Sequence, residues 1–252
     1  MEEINGKNKR IMEKIKLGPK IDYTNFDWGW FTTRDIKQKE FLIQEIFEDR
    51  AYETYLEVEK NDIVVDIGAS VGPFSYSILN KKPKRIICVE PSTTELVTLK
   101  SNIKFNNLTI VPYAISDING RVDLQHIFGE TQEINSLAFN SVQTITFNSL
   151  IKNYKINKID FLKIDCEGGE YDVFNNENIW WLKDNCKKIV GEWHLGTPEL
   201  KKKFRIFRDT YLRLFPKHKV FSVDGVDIKW DLWNEHFLEY YAEVIIHIDN
   251  RI

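Results

Sequence analysis

Ile63-Val64-Val65-Asp66-Ile67-Gly68-Ala69-Ser70-Val71-Gly72 decides the fold. Residues 63–65 are apolar and β-branched without alternation, as in a parallel strand buried on both faces. The run ends on an acid and a glycine turn, and a helix is predicted from there to about residue 80. A strand that feeds a glycine turn and then a helix is the opening of a βαβ unit.

The same grammar repeats outward from this stretch. Residues 85–89 form a second buried strand ending on Glu90-Pro91, with Thr93 or Thr94 expected to cap the next helix. A third strand is predicted over 108–114, with Ser116-Asp117 just past its end. Asn119-Gly120 reads as a turn, and 121–126 and 141–147 alternate like more exposed strands. Asn148 is placed to cap a helix over 149–155. Residues 159–164 return to a buried strand ending on Asp165, and a helix starts near Gly169-Glu170. Residues 188–190 begin a fifth buried strand that ends on Glu192-Trp193-His194. The tail supplies a strand over 220–223, a turn at Asp224-Gly225 and a last strand over 241–247. The expectation is an α/β, Rossmann-like, mostly parallel doubly wound sheet with a terminal antiparallel strand. It occupies residues 57–252. Residues 1–56 are a basic arm (Lys7, Lys9, Arg10, Lys14, Lys16, Lys20) and a helical flank carrying Phe41, Leu42, Ile46 and Phe47.

Composition narrows the class further. The 252 residues are 42% hydrophobic, enough to fill a sizeable core, and the net charge of −3 supplies no global field for nucleic acid or anionic lipid. No apolar run approaches the roughly 18 residues of a membrane span, and the charged first twenty residues do not read as a signal peptide. A cytoplasmic protein is expected. Three cysteines (Cys88, Cys166, Cys186) without a CxxC pair imply neither a disulfide framework nor a zinc knuckle.

In a doubly wound sheet, ligands bind beyond the carboxyl ends of the strands. Here those ends carry Asp66 with the Gly68–Gly72 turn, Glu90, Ser116 and Asp117, Asp165 and Glu167, then Glu192 and His194. Glu90 falls 18 positions after Gly72, near the roughly 20 expected of an acid that accepts from ribose hydroxyls. A dinucleotide needs Gly-x-Gly-x-x-Gly, but from Gly68 the next two glycine places hold Ser70 and Pro73. Acidic-x-Gly-x-x-x-Gly suits instead a nucleoside cofactor that lacks phosphate and ends in a charged amino acid. Asp66 would attract the ammonium, and Gly68 would let the loop pass without a Cβ clash.

The blocks Asp66–Gly72, Val89-Glu90-Pro91, Ala114-Ile115-Ser116-Asp117, Thr146-Phe147-Asn148-Ser149-Leu150 and Leu162-Lys163-Ile164-Asp165-Cys166-Glu167-Gly168-Gly169-Glu170 together resemble the FkbM family of methyltransferases. The resemblance spans about residues 61–195 and is most specific in the 163–170 block. It implies a class I methyltransferase fold, S-adenosylmethionine as methyl donor and a hydroxyl acceptor, typically on sugars or polyketide-like products. Cys166 and Phe147 depart from the aliphatic residues usual there. The implied cofactor set is Asp66, Gly68, Ala69, Ser70, Gly72, Glu90, Ser92, Ser116, Asp117 and Asp165.

Methyl transfer to oxygen needs in-line alignment and a group to accept the hydroxyl proton. Asp165, His194 and Glu192 are the catalytic candidates. His194, or Asp165 acting with it, takes the proton because imidazole titrates near neutrality, and Glu192 orients the ring. Trp193 is a candidate wall of the acceptor pocket, whereas Trp180 and Trp181 read as packing. Glu170 reads as a site residue, and His126, His218, His236 and His247 as structural. Asp165, Glu167, Glu170, Glu192 and His194 have the oxygen-rich character of a divalent metal site, but strand-end carboxylates are common without metal, so none is favoured. The expected partner is a small-molecule or glycan acceptor, selected by residues 26–56, 128–139 and 197–233. No Pro-Pro-aromatic follows Asp165 and no lysine follows the fifth strand, which disfavours base and RNA ribose methylation. The alternatives are a nucleic-acid or protein acceptor, suggested by Lys201-Lys202-Lys203, Arg205 and Arg208, and a non-catalytic binding protein of the same fold.

Overall fold

β1 (Ile63–Ile67) is the third strand of a seven-stranded sheet in the computed structural model, which describes residues 21–29, 36–123 and 141–251. β2 (Arg85–Val89) and β3 (Leu108–Val111) extend it on one side in parallel. β7 (Phe161–Ile164) and β8 (Lys188–His194) extend it on the other, again in parallel. β10 (Glu243–Asp249) runs antiparallel to β8 and is inserted between it and β9 (His218–Phe221). The order β3-β2-β1-β7-β8-β10-β9 reverses at β1, and the last strand is antiparallel as expected. This is the class I methyltransferase fold. The reversal opens a crevice at the carboxyl ends of β1 and β7.

Alternation along β1 and β2 sends side chains into two cores, which is why these strands are apolar without a break. Val65, Ile67, Ile87 and Val89 face one layer; Val64, Ile86 and Cys88 face the other. The first layer holds α4 (Phe147–Asn153), α5 (Glu170–Val173), α6 (Ile179–Asn185) and α7 (Pro198–Ile206). The second holds α2 (Pro73–Ser77), α3 (Thr93–Asn102) and the flank that precedes β1. Each fully buried Val, Leu, Ile or Phe contributes about 1.5–3 kcal/mol.

That flank is not a loose appendage. α1 (Ile36–Leu42) is largely exposed, but the chain then widens into a π turn at Ile43–Glu48 and a 3₁₀ turn at Ala51–Glu53. These turns bury Glu45, Ile46, Phe47, Tyr52 and Glu53. Phe26, Trp28, Phe47 and Tyr76 form an aromatic cluster with centroids 4.7–6.2 Å apart, on the face that carries Val64 and Phe161.

Several local expectations change. The stretch predicted as one strand over 108–114 breaks at Pro112, which has no N–H for a ladder. Beyond it, β4 (Ala114–Ile115) pairs in parallel with β6 (Ser141–Ile145), and β5 (Gly120–Asp123) pairs antiparallel with β6 in a second sheet. The cap of α3 is Ser92, whose Oγ accepts from Glu95 N at 3.3 Å, not Thr93 or Thr94. The cap of α4 is Thr146, accepting from Ser149 N at 3.2 Å, not Asn148. Trp193 does not wall a pocket: it is fully buried and stacks on Phe207 at 4.9 Å. Trp181 packs edge-on against Phe147, whereas Trp180 is exposed. The basic arm (1–20), His126 and the acceptor-selecting stretch 128–139 lie outside the described residues. No helix among the described residues is long and apolar enough to cross a membrane.

Candidate active site

The carboxyl ends of β1, β2, β7 and β8 meet around the Gly68 turn. Gly68 has φ +75°, and a Cβ there would overlap the carbonyl oxygen of Asp165 and lie 2.7 Å from its carbon. Only glycine lets the loop pass over β7 at this point. The Gly68 and Ala69 amides donate to Val89 O at 2.9 and 3.1 Å, and the Ala69 side chain is buried. Gly72, at φ +90°, seats the start of α2 against Leu99 and Ile103.

Glu90 ties two loops together. Its Oε2 accepts from Ser70 N at 2.9 Å and its Oε1 from Ser92 N at 2.7 Å. Burial pushes its carboxyl up to about 8, with Glu95 adding to the shift. A carboxylate has about four acceptor sites, so two stay open. The Ser92 side chain is spent on the α3 cap. Ser116 Oγ donates to Asp117 at 3.2 Å, and the β4 end bearing this pair abuts the next turn, where a Cβ on Gly169 would meet Ile115 O at 3.2 Å.

Asp66 faces inward. It is fully buried, accepts from Ser75 Oγ at 2.7 Å and lies 3.5 Å from Lys163 Nζ. The expectation that it meets an ammonium at the rim gives way to a support role, because Lys163 already occupies that place. Burial raises the Asp66 carboxyl, with Lys163 opposing. Lys163 also donates to Gly68 O at 2.9 Å and lies 3.3 Å from Asp165 Oδ2. Burial works against its charge, but Asp165 and Asp66 outweigh it and keep the ammonium above the ordinary lysine range.

Asp165 reaches the rim with a quarter of its side chain exposed. Burial would raise it, yet Lys163, then His194 and the Tyr52 hydroxyl, hold it below the usual carboxylate range. Tyr52 donates to Asp165 Oδ2 at 2.9 Å and lies 3.3 Å from Glu192 Oε2. Glu192 is raised well above its ordinary range by burial, then by Asp165 and Glu45. Glu45 is pushed up to about 8 by burial and then Asp165.

His194 is oriented by Glu170, not by Glu192. Its Nδ1 donates to Glu170 Oε1 at 2.9 Å, and that oxygen also accepts from Cys166 N and Gly168 N at 3.0 and 3.1 Å. Its Nε2 lies 3.4 Å from Glu167 Oε2. Burial disfavours the imidazolium, but Glu170, then Asp165 and Glu167, push the ring up to about 11. A histidine so held is a fixed cation at neutral pH, which corrects the expectation of a base tuned near neutrality. The turn that builds this cradle needs left-handed backbone at Glu167 (φ +57°) and Gly168 (φ +104°).

The structure therefore gathers Asp165, Glu192, His194, Glu170 and Glu167 as expected, and adds residues not singled out for the site: Glu45, Tyr52, Lys163 and Glu243. Lys163 had a signal, its place in the 163–170 block. Glu243 stands opposite His194 in the β8–β10 register, which no local pattern announces. Of the basic residues suggested over 201–208, Arg205 and Arg208 both pair with Glu235, at 2.9 and 2.7 Å.

The family model described as the methyltransferase FkbM domain matches residues 66–219, more than half of the chain. "Methyltransferase 1" of Beauveria bassiana is 26% identical over 179 residues, 58% of this chain and 71% of that protein. The hexuronic acid methyltransferase AglP of Haloferax volcanii is 21% identical over 168 residues, 65% of each chain, so just under two thirds of that relative's length is spanned. The crystal structure of precorrin-6y C5,15-methyltransferase from Geobacter metallireducens overlaps 86% of this chain and 88% of its own, at 15% identity and a TM-score of 0.41. Because the matched region runs from the acid of the glycine turn through every strand end described above, the chain belongs to the FkbM methyltransferase family.

Proposed function

We propose that this protein transfers a methyl group from S-adenosylmethionine to a hydroxyl of a carbohydrate or similar polyol. The observation that carries the reading is the cradle in which Glu90 and the Gly68 turn adjoin Asp165 on one rim. The residues suit this cofactor. Glu90 retains acceptor capacity for two ribose hydroxyls, and no triple-glycine approach for a pyrophosphate exists. Ser70, Gly72, Ser92, Ser116 and Asp117 border the cradle, and Asp66 supports it from beneath through Lys163.

Bound there, S-adenosylmethionine supplies an electrophilic methyl on a sulfonium. With that group bound, the chain's own residues would have to hold the acceptor hydroxyl in line with the methyl and take up its proton on a protein oxygen. Asp165 is the ionised carboxylate at the rim and takes that part. Lys163 and Tyr52 fix its Oδ2, and His194, held cationic by Glu170, adds positive potential beside it. Glu192 lines the acceptor side. We take residues 57–252 as the catalytic domain, with the flank before it covering the acceptor side. Three free cysteines suit a reducing, cytoplasmic setting.

The test is calorimetric titration with S-adenosylmethionine of the wild type, Gly68→Arg and Glu90→Ala. Saturable binding that both variants lose supports the reading and is followed by a glycan acceptor screen scored by S-adenosylhomocysteine release. A well-folded wild type that does not bind overturns it.

A further inference from the structure

We propose that Asp165 and Glu192 hold one proton between them across the hydroxyl of Tyr52, with Glu192 the protonated member, so that the acceptor side presents one ionised carboxylate and one neutral carboxylic acid. Tyr52 is 1% exposed, and its hydroxyl oxygen lies 2.9 Å from Asp165 Oδ2 and 3.3 Å from Glu192 Oε2. A phenol has one hydrogen to donate, and an ionised carboxylate has none. With both acids ionised, one of the two contacts would set lone pairs against each other away from water. A proton on Glu192 Oε2 removes the conflict: Glu192 donates to the Tyr52 oxygen, and Tyr52 donates to Asp165.

Neighbouring groups decide which acid keeps its charge. Asp165 has a quarter of its side chain exposed, and Lys163 Nζ lies 3.3 Å from the same oxygen that Tyr52 serves. Glu192 is 7% exposed and has no ion pair among the described residues. The cation on its own strand, His194, turns Nδ1 to Glu170 and Nε2 toward Glu167. Two carboxyls so close in a dry site do not both ionise, and the one beside the lysine retains the charge.

The groups that act on Glu192 come from every element around it. They are Asp165 of β7, Tyr52 and Glu45 of the flank, Glu243 of β10 and His194 of β8 itself. Burial raises the Glu192 carboxyl well above its ordinary range, Asp165 and Glu45 add to that, and His194 opposes it. Charge and hydrogen-bond geometry therefore favour the same protonation state.

One neutral and one ionised acid take different parts in a reaction. Asp165 keeps the vacancy for the acceptor proton. Tyr52 is a positioning residue, whose hydrogen points at Asp165 because Glu192 supplies the bond to its oxygen. If Glu192 ionises, two anions contend for that hydrogen and Asp165 loses its partner. These parts rest on the methyltransferase reading, but the shared proton does not.

Infrared spectra of the full chain are recorded near neutral pH in D₂O, without cofactor or acceptor, with and without ¹³C-labelled glutamate. The expected result is a C=O band of a protonated glutamate that is lost in Glu192→Gln, shifts in Tyr52→Phe and fades as pH rises. Glu45→Gln and Glu90→Ala remove the other two glutamates raised to about 8 and so identify their own bands. Thermal melts check folding, and Tyr52→Phe, which keeps the ring, carries the test if Glu192→Gln does not fold. No band lost in Glu192→Gln, or an unmoved band in Tyr52→Phe, overturns the proposal. On an acceptor from the glycan screen, Glu192→Ala is expected to lose roughly tenfold in turnover, and Glu192→Gln, which keeps a donor, to regain most of it. Equal losses in the two would overturn the division of parts. S-adenosylmethionine is titrated separately. The expected band in a chain that does not bind it would support the shared proton while sinking the methyltransferase reading, and binding without the band would do the reverse.

Discussion

The hydroxyl of Tyr52 donates to Oδ2 of Asp165 at 2.9 Å, joining a turn of the N-terminal flank to the end of β7 across 113 positions of sequence. Tyr52 is almost fully buried, and Lys163 Nζ lies 5.2 Å from its ring centroid. Tyr52→Phe keeps the ring and removes the donor. A hydrogen bond to a charged group contributes about 1.5–3 kcal/mol, so turnover is expected to fall roughly ten- to a hundredfold with cofactor affinity preserved. Paired turnover and calorimetric measurements check this. Equal losses in both would mean that the flank acts on the cofactor instead.

Gly68→Ala is expected to abolish cofactor binding although it adds one methyl. The φ of +75° disfavours any Cβ, and the added atom would overlap backbone of Asp165, which cannot rotate away. Strain at such a position costs on the order of 1–3 kcal/mol before any contact is lost. A calorimetric titration and a melting curve read the two effects separately. Wild-type affinity in this variant would mean that the loop and β7 are free to part.

Lys163→Met leaves Asp66 and Asp165 without their shared cation and is expected to cost about 3–5 kcal/mol. Asp66 already has a raised pKa, so its contribution to stability is greatest below the unfolded value near 3.8 and declines as pH rises through the folded one. Without the lysine that decline steepens, and the variant should melt at a lower temperature at pH 8 than at pH 5.5. Adding Asp66→Asn should recover part of the loss. A double variant no more stable than Lys163→Met would show that the two residues are not coupled.

Asp160 sets the acid limit. It is 2% exposed, accepts from Ile63 N, and lies 3.0 and 2.9 Å from Lys158 and Lys187. Burial opposes its charge, but these partners hold it down to about 2. Its stabilisation is therefore present above the unfolded value near 3.8 and is lost as pH falls toward 2. Both lysines are half exposed, so solvent screening leaves on the order of 1–2 kcal/mol. Asp160→Asn should lose that much at pH 7 and show a shallower acid limb in urea titrations from pH 5 to 2.5.

The parts legible in sequence were those written locally. The unbroken apolar runs at Val64-Val65, Ile86-Ile87 and Phe161-Leu162 reveal parallel strands because each must be buried on both faces. The acids that end those strands follow in register, so Asp66, Glu90 and Asp165 could be placed at one edge of the sheet by counting. Helix caps were off by one or two positions because serine and threonine neighbours offer equivalent side chains, and only backbone geometry selects Ser92 over Thr93.

Sequence alone determined the doubly wound fold and the acidic rim, since hydrophobic period and strand-end chemistry are properties of contiguous residues; the reversal point at β1 came only with the sheet order. Tertiary structure decided what each rim residue does. Asp66 turned inward because Lys163, on the neighbouring strand, took its charge. His194 became a fixed cation because Glu170 reached it from the turn after β7, and Glu243 joined it because β10 inserts antiparallel beside β8. Charge state and ligand geometry depend on distances between segments far apart in the chain, and those distances exist only once the sheet has closed.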